Sequence, residues 1–211
     1  DLDALLPMLS ELEFRSLLRE FRAPVVQKKA IERHIVTDES TLNDLCDALR
    51  GAESFSAAAL TGHGLHTQSE IVGIAFASNP TTSWYIPLAH RTLGAPTQLK
   101  TTKVCEALKP ILESDHAQKL VVHSMKELSA ALLQHDIQLQ SCALDTELAS
   151  YLVNATQFGV GGHSLANLAQ DRLQLTLPPV PKAIQSGRSY WSEEMADKAQ
   201  AFASTRAETM L

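Results

Sequence analysis

The sequence predicts an α/β domain with a mixed central sheet covered by helices on both faces. Three successive strands are predicted between residues 53 and 89, over Phe55–Leu60, Ile71–Ala77 and Ser83–Leu88. The second and third strands are rich in β-branched and aromatic residues. The first is instead a continuous run of small and apolar residues, which is expected where both faces of a sheet are covered. We therefore expect it to lie centrally in a sheet of about five or six strands.

After these strands the predicted elements alternate between helix and strand, which is typical of crossover connections in a mixed or parallel sheet. Before the three strands, capping residues and hydrophobic periodicity predict a strand over His34–Thr37 and a helix over Thr41–Gly51 with Ser40 or Thr41 at its N-cap. After them, the predicted elements are a helix over Thr101–Glu113 that contains Pro110, a strand over Lys119–His123, a helix over Met125–Gln134, a strand over Ser141–Leu144 and a helix to Asn154 capped by Asp145. The chain then continues with a turn at Gly159, Gly161 and Gly162, a helix over Ser164–Leu173, a loop over Leu177–Tyr190 and a terminal helix over Ser192–Leu211.

The first part of the chain is predicted to be a separate helical connector. Residues 2–21 place leucines close to helical spacing, and Pro7 marks a break or a first turn. Residues 22–33 are polar and poorly periodic, which is typical of a linker. The predicted organisation is therefore a connector over residues 1–33 and a domain over residues 34–211. A helix that simply packs on its own domain explains the first pattern equally well.

Composition and charge exclude several classes of protein. No stretch approaches the roughly 20 apolar residues of a membrane span, and the N-terminus lacks the basic region of a secretory signal, so we expect a soluble intracellular protein. Three widely spaced cysteines, Cys46, Cys105 and Cys142, are predicted to be buried free thiols. The formal net charge of −6 does not favour a stand-alone nucleic-acid binder. Because the sequence begins with Asp and stops within a helical pattern, we expect a longer parent chain.

One stretch, IVGIAFASNPTTSWYIPLAH, resembles the second and third strands of the 3'–5' exonuclease domain of family A DNA polymerases, the bacterial DNA polymerase I type. The resemblance continues in the family's order through LKPILESDHAQKLVVHSMKELSAALLQHDIQL, ALDTELASYLVN and HSLANLAQDRL, and covers roughly residues 40–211. It implies a ribonuclease H-like fold. The earlier segment ELEFRSLL is similar to the piece that joins the 5'-nuclease portion to this domain.

The resemblance also implies a two-metal nuclease site, because this family holds two divalent ions with carboxylates that activate a water and stabilise the leaving oxygen. The four positions that correspond to those carboxylates are Ala58, Leu60, Leu128 and Arg206. Near them, Ser124 replaces the family's Asn, Lys126 is kept, and Phe202 replaces its Tyr. We therefore expect no catalytic residue, no metal and no other cofactor.

Other candidate residues favour ordinary structural roles. Glu127 or Glu208 would support one metal if the alignment were shifted, although such neighbours point elsewhere. Asp145 corresponds to a position that the family also uses, and a helix N-cap explains it. The segment FGVGGHS lacks the ending of a phosphate loop. The histidines lack the paired spacing of a zinc site: His63, His66, His90, His123 and His163. Ser54, Ser56 and Ser124 lack the sequence context of a nucleophilic triad. Trp84, Tyr190 and Trp191 are aromatic residues that could stack on bases, although a core position is favoured for Trp84.

Together these features predict a vestigial 3'–5' exonuclease domain that acts as a structural scaffold for DNA-directed DNA synthesis by its parent chain. The implied partners are a polymerase domain that follows Leu211 and DNA bound by the parent chain, without a membrane. The implied location is the bacterial cytoplasm, with the nucleoid. Two alternatives stay open: an active metal-dependent 3'–5' exonuclease, and a module that uses the old cleft to bind nucleic acid or a protein.

Overall fold

The computed structural model describes residues 2–12, 31–62, 70–114, 119–155 and 162–211, together with residues 14, 17 and 21. Its strands form one six-stranded sheet in the order β1-β4-β3-β2-β5-β6. The β2–β3 and β3–β4 pairs are antiparallel, whereas β1–β4, β2–β5 and β5–β6 are parallel. The strands are β1 (Glu32–Ile35), β2 (Phe55–Thr61), β3 (Ile71–Asn79), β4 (Thr82–Pro87), β5 (Leu120–Val122) and β6 (Leu144–Asp145). The sheet is thus mixed and β2 is central, as predicted.

Helices flank both faces of this sheet. The described α-helices, numbered in chain order, are α1 (Leu2–Glu11), α2 (Glu39–Gly51), α3 (Thr101–Leu112), α4 (Met125–Leu133), α5 (Thr146–Val153), α6 (Leu165–Leu168), α7 (Lys182–Gln185) and α8 (Ala196–Met210). A π-helical turn over Ala169–Leu173 continues α6, and a 3₁₀ turn over Trp191–Glu193 precedes α8. None of the described helices is long and apolar enough to span a bilayer.

Strand β2 divides its side chains between two hydrophobic clusters, because successive strand residues point to opposite faces. Phe55 and Ala57 belong to a cluster with α2, α3 and α4. Leu60 and the partly buried Ala58 belong to the opposite cluster, which contains residues of α6 and α8. A strand with apolar layers on both sides needs no polar face, which explains its uninterrupted run of small and apolar residues.

A contact between β3 and β4 gives a physical reason for the IVGIAF and WYIPLAH motifs. A methyl group added at Gly73 would lie 2.2 Å from the hydroxyl oxygen of Tyr85 and 2.5 Å from the ring atom that carries it. The Tyr85 hydroxyl is 2.7 Å from Nε2 of His90, and burial raises the pKa of Tyr85 above its ordinary value. Gly73 therefore makes room for a buried tyrosine that is anchored to the loop after β4.

Several predicted boundaries were wrong. Helix α2 begins at Glu39 with Asp38 as its N-cap, whose carboxylate accepts from the Thr41 N–H at 2.9 Å, so neither Ser40 nor Thr41 is the cap. Strand β1 covers Glu32–Ile35 instead of the predicted His34–Thr37, because its pairing with β4 begins at Glu32 and Thr82. The other corrections are a last strand at Leu144–Asp145, a short helix inside Leu177–Tyr190, and a terminal helix that starts at Ala196 instead of Ser192. The predicted turn at Gly159 and Gly161 lies outside the described residues.

The three cysteines are free thiols, as predicted. Cys46 and Cys105 are buried between α2 and α3 in the first cluster, whereas Cys142 is only half-buried. Burial raises the pKa of Cys105 to about 11, which keeps this thiol protonated and unreactive near neutral pH.

Candidate functional site

Three of the four positions predicted to have lost their carboxylates line one cleft. Ala58 comes from β2, Leu128 from the first turn of α4, and Arg206 from α8. This cleft has a volume of about 80 Å³ and is also lined by His123, Ser124 and Glu127. A wider cavity of about 400 Å³ shares Arg206, His123, Ser124 and Glu127 and adds Glu147, His163 and Ser164. The fold therefore brings Ala58 and Arg206, which are 148 positions apart in the chain, to the same cleft.

Leu60 is buried on the same face of β2 as Ala58, but it is not among the residues that line the cleft. Its side chain is 4% exposed and lies in the second hydrophobic cluster with Phe202. A carboxylate at this position would be surrounded by apolar groups, where an unpaired charge costs several kcal/mol or forces a large pKa shift. The leucine fits this environment without such a cost.

Asp145 connects two elements of the site through its carboxylate. Oδ1 and Oδ2 accept from the backbone N–H groups of Ser124 at 3.2 Å and Met125 at 2.8 Å, where α4 begins. Oδ1 also accepts from Glu147 at 3.0 Å and Leu148 at 3.3 Å, in the first turn of α5. The predicted N-cap role of Asp145 is confirmed, and the same carboxylate also ties β6 to the start of α4.

Ser124 adopts a left-handed conformation, with φ 67° and ψ 76°, directly before α4. Serine is strained in this region, whereas asparagine tolerates it better. We expect Ser124→Asn to raise the free energy of unfolding by about 0.5–1 kcal/mol, measured by urea denaturation. Ser141→Asn, at an exposed position without positive φ, is the matched control and should leave stability unchanged within about 0.5 kcal/mol. A destabilised Ser124→Asn protein would show that the hydroxyl, not the backbone strain, matters here.

Arg206 places a positive charge in the cleft. Its guanidinium carbon lies 5.3 Å from the centre of the Phe202 ring, which supports the side chain through a cation–π contact. Burial lowers the pKa of Arg206 from its ordinary value, and the nearby Glu127 carboxylate opposes that change. Burial and the Arg206 charge together lower the pKa of His123, so its neutral form is favoured. The cleft thus holds a fixed cation beside one carboxylate.

Glu208, the second rival ligand, faces away from this cleft. Its carboxylate accepts from Nε and Nη2 of Arg33 on β1, at 2.8 and 2.7 Å, and from the Ser83 hydroxyl on β4 at 2.6 Å. The carboxylate is buried, with 5% of the side chain exposed, and it raises the pKa of Arg33. Sequence reasoning missed this ion pair because Arg33 was assigned to the linker. The sequence signal that could have indicated this ion pair is the single Glu among the small residues of α8.

Several of the remaining candidates have structural partners. His123 Nδ1 is 2.9 Å from the Thr146 hydroxyl, and His163 Nδ1 is 2.9 Å from the Ser150 hydroxyl. Ser56 donates to the Ala207 carbonyl at 2.6 Å and so fastens α8 to β2. Trp84 stacks on His34 with ring centres 4.2 Å apart, and Trp191 packs on Phe202 at 4.6 Å. His63 and His66 lie outside the described residues. Within the described ranges, no group of three or more His, Cys, Asp or Glu residues is arranged to hold a metal ion.

The mixed six-stranded sheet, with helices on both faces and a cleft between β2, α4 and α8, has a ribonuclease H-like exonuclease fold. The chain superimposes on the exonuclease domain of Aedes aegypti Nibbler with a TM-score of 0.60 and 14% sequence identity, over 90% of this chain and 88% of that one. At this level of identity the likeness concerns the fold alone.

Sequence comparison identifies the family. A family model described as 3'–5' exonuclease matches residues 33–205. DNA polymerase I of Pseudomonas aeruginosa is 30% identical over 166 residues, which cover 73% of this chain and 18% of that protein. DNA polymerase I of Chloroflexus aurantiacus is 30% identical over 145 residues, which cover 69% of this chain and 14% of that protein. The chain therefore belongs to the 3'–5' exonuclease family, as a domain of the DNA polymerase I type. It spans less than a fifth of the length of these two relatives.

Proposed function

We propose that this chain is a catalytically inactive 3'–5' exonuclease domain that serves as a scaffold in a polymerase I-type protein. The observation that carries the proposal is the composition of the cleft. Ala58, Leu128 and Arg206 line it where the family resemblance places metal-binding carboxylates. Two hard divalent ions need several converging oxygen ligands. A methyl group, an isobutyl group and a guanidinium provide none of them.

The charge of Arg206 supports the same proposal. A guanidinium stays protonated at any physiological pH, so it repels a divalent cation at close range. Arg206 also interacts electrostatically with the Glu127 carboxylate that lines the same cleft. A cation of the protein thus takes the place that bound cations have in the active members of the family.

The rest of the proposed role concerns the parent chain. In this proposal the polymerase domain of the same polypeptide is the partner, and DNA is bound by the parent chain in the cytoplasm, at the bacterial nucleoid. The net charge of −6 supports this division, because a surface that binds phosphates by itself is normally basic. The domain contributes a folded support for the polymerase, and proofreading is absent.

One feature favours the alternative of an active nuclease. Glu127 lines both cavities and Glu147 lines the wider one, so two carboxylates are near the old metal position. A pair of carboxylates next to a guanidinium is still a poor site for two ions. A nuclease assay distinguishes the two functions directly.

We expect the purified chain to leave a 3'-labelled single-stranded oligonucleotide intact in magnesium or manganese. The measurement is loss of label from the 3' end, resolved on a denaturing gel, at enzyme concentrations in excess of substrate. The matched control is Glu127→Gln, which removes the carboxylate from the cleft and keeps the size of the side chain. Metal-dependent degradation by the unmodified chain that disappears in the Glu127→Gln protein would establish an active nuclease and overturn the proposal.

A further inference from the structure

Two histidines lie on the wall of the wider cavity, and α5 orients both imidazole rings. His123 and His163 line this cavity, which has a volume of about 400 Å³. Nδ1 of His123 is 2.9 Å from the Thr146 hydroxyl, and Nδ1 of His163 is 2.9 Å from the Ser150 hydroxyl. Thr146 and Ser150 are about one turn apart on α5, so both hydroxyl groups lie on the same face of that helix. Each contact uses Nδ1 and leaves Nε2 for a ligand in the cavity.

Hydrogen bonding around Thr146 fixes the tautomer of His123. The Thr146 hydroxyl donates to the carbonyl of the residue before His123 at 3.2 Å, so it accepts from the Nδ1–H of the imidazole. In the neutral ring Nε2 therefore carries the lone pair. Burial and then the Arg206 charge lower the pKa of His123, and the Glu147 and Asp145 carboxylates partly oppose them. His123 thus presents a proton acceptor to the cavity.

Among the described residues that line this cavity, Arg206 is the one permanent cation. Its guanidinium is supported by the Phe202 ring at 5.3 Å, and a guanidinium binds the oxygens of a phosphodiester with charge-assisted hydrogen bonds. Glu127 and Glu147 also line the cavity, so it has no surplus positive charge for a long polyanion, which needs several clustered cations. The cavity therefore fits one phosphodiester of a short strand.

These groups define a class of reaction. A proton acceptor, a second imidazole and a guanidinium around one phosphodiester are the groups that transesterification of RNA requires, because the adjacent 2'-hydroxyl is the nucleophile. This step needs neither a metal ion nor an activated water. DNA lacks the 2'-hydroxyl, so the same groups leave it intact. The substrate class that fits is thus short single-stranded RNA.

We propose that this cavity cleaves short single-stranded RNA by metal-independent transesterification. Nε2 of His123 takes the proton of the 2'-hydroxyl, and the 2'-oxygen forms a bond to phosphorus. The bond between phosphorus and the 5'-oxygen breaks, and that oxygen takes a proton from Nε2 of protonated His163. Arg206 stabilises the negative charge that develops on the non-bridging oxygens. The products are a 2',3'-cyclic phosphate and a 5'-hydroxyl, and proton exchange with water returns both imidazoles to their starting forms.

The test is incubation of the purified chain with a short 5'-labelled single-stranded oligoribonucleotide in EDTA. We expect shortened 5' fragments that end in a 2',3'-cyclic phosphate, identified by mass spectrometry. A DNA strand and a 2'-O-methyl RNA strand of the same sequence should stay intact, because neither has a free 2'-hydroxyl.

Three single variants assign the activity to the cavity. We expect His123→Gln and His163→Gln each to lower the cleavage rate at least about a hundredfold, which is the usual contribution of general acid–base catalysis. Arg206→Gln should also lower the rate about a hundredfold, because it removes the cation that stabilises the transition state. The matched control is His135→Gln, at a described histidine outside the walls of both cavities, which should keep the full rate. Unfolding temperatures show which variants are folded, and His163→Gln, at a half-buried position, carries the test if His123→Gln does not fold.

Three results would overturn the inference, which goes beyond the proposed function. The first is RNA that stays intact after incubation with the folded, unmodified chain. The second is cleavage that the folded His163→Gln and Arg206→Gln proteins retain, which would identify a contaminating ribonuclease. The third is cleavage that requires magnesium or manganese, shortens DNA and RNA alike and yields no cyclic phosphate, and this result would also defeat the proposed inactivity. Cyclic-phosphate formation in EDTA with intact DNA would support the inference and leave the proposed loss of the exonuclease unchanged.

Discussion

Replacing Gly73 by alanine should lower the free energy of unfolding by about 3 kcal/mol, at the upper end of the usual cost of overpacking a core. The added methyl group would lie 2.2 Å from the Tyr85 hydroxyl oxygen and 2.9 Å from a ring carbon, well inside contact distance. Tyr85 is 1% exposed and bonded to His90, so its ring has no free space to move into. The substitution should therefore break the Tyr85–His90 hydrogen bond or displace β4 from β3. Urea denaturation followed by circular dichroism measures this loss.

Gly62→Ala is the matched control. The nearest atom to its added methyl would be the Glu70 carbonyl oxygen at 3.5 Å, an ordinary contact, so stability should change by less than about 0.5 kcal/mol. A second test combines Gly73→Ala with Tyr85→Leu. Because the clash needs both side chains, the double variant should be more stable than the sum of the two single effects predicts. Additive effects, or a Gly73→Ala protein as stable as the parent, would contradict the proposed packing.

The elements that sequence analysis located well are those whose pattern is local. Phe55–Leu60 was assigned to a central strand because a run of small and apolar residues is itself the signal of two covered faces. The N-cap predicted for α2 was wrong because several neighbouring residues are suitable. Asp38, Ser40 and Thr41 are all suitable caps, and the choice depends on which one is extended; Asp38 is, with φ −143° and ψ 173°. Backbone geometry of this kind is not readable from residue types.

Only part of the site could be predicted from the sequence. The resemblance selected Ala58, Leu128 and Arg206, and the fold brings these three to one cleft. The resemblance also selected Leu60, but its side chain lies in the second hydrophobic cluster. Which side chains line the cleft depends on how the neighbouring helices pack, and the local sequence does not give that packing. The Arg33–Glu208 ion pair joins residues 175 positions apart, in a segment assigned to the linker and in the terminal helix. Only the assembled sheet places β1 beside α8, so no local pattern predicts this pair.

Rebuilding the carboxylates should restore metal binding to this chain. The quadruple variant Ala58→Asp, Leu60→Glu, Leu128→Asp and Arg206→Asp presents four carboxylates at the positions that the family resemblance assigns to them. We expect this protein to be less stable than the unmodified chain without metal, because the carboxylates repel one another in an apolar cleft. Manganese that binds the native state alone at about a hundredfold excess over its Kd should add about 2.7 kcal/mol. For a domain of this size that corresponds to a rise of about 5–10 °C in the unfolding temperature.

The controls separate a rebuilt metal site from a general salt effect. A triple variant that keeps Arg206 retains the guanidinium next to Ala58→Asp and Leu128→Asp, so its response to manganese should be much smaller. A second triple variant that keeps Leu60 avoids the most deeply buried carboxylate, and it should respond to manganese even if the quadruple variant folds poorly. Metal affinity should return before nuclease activity, since hydrolysis also requires the substrate to be held to within about 1 Å of its productive position. An equal rise in unfolding temperature for the unmodified chain and the variants would show that manganese binds elsewhere, and that Ala58, Leu128 and Arg206 do not mark the former metal site.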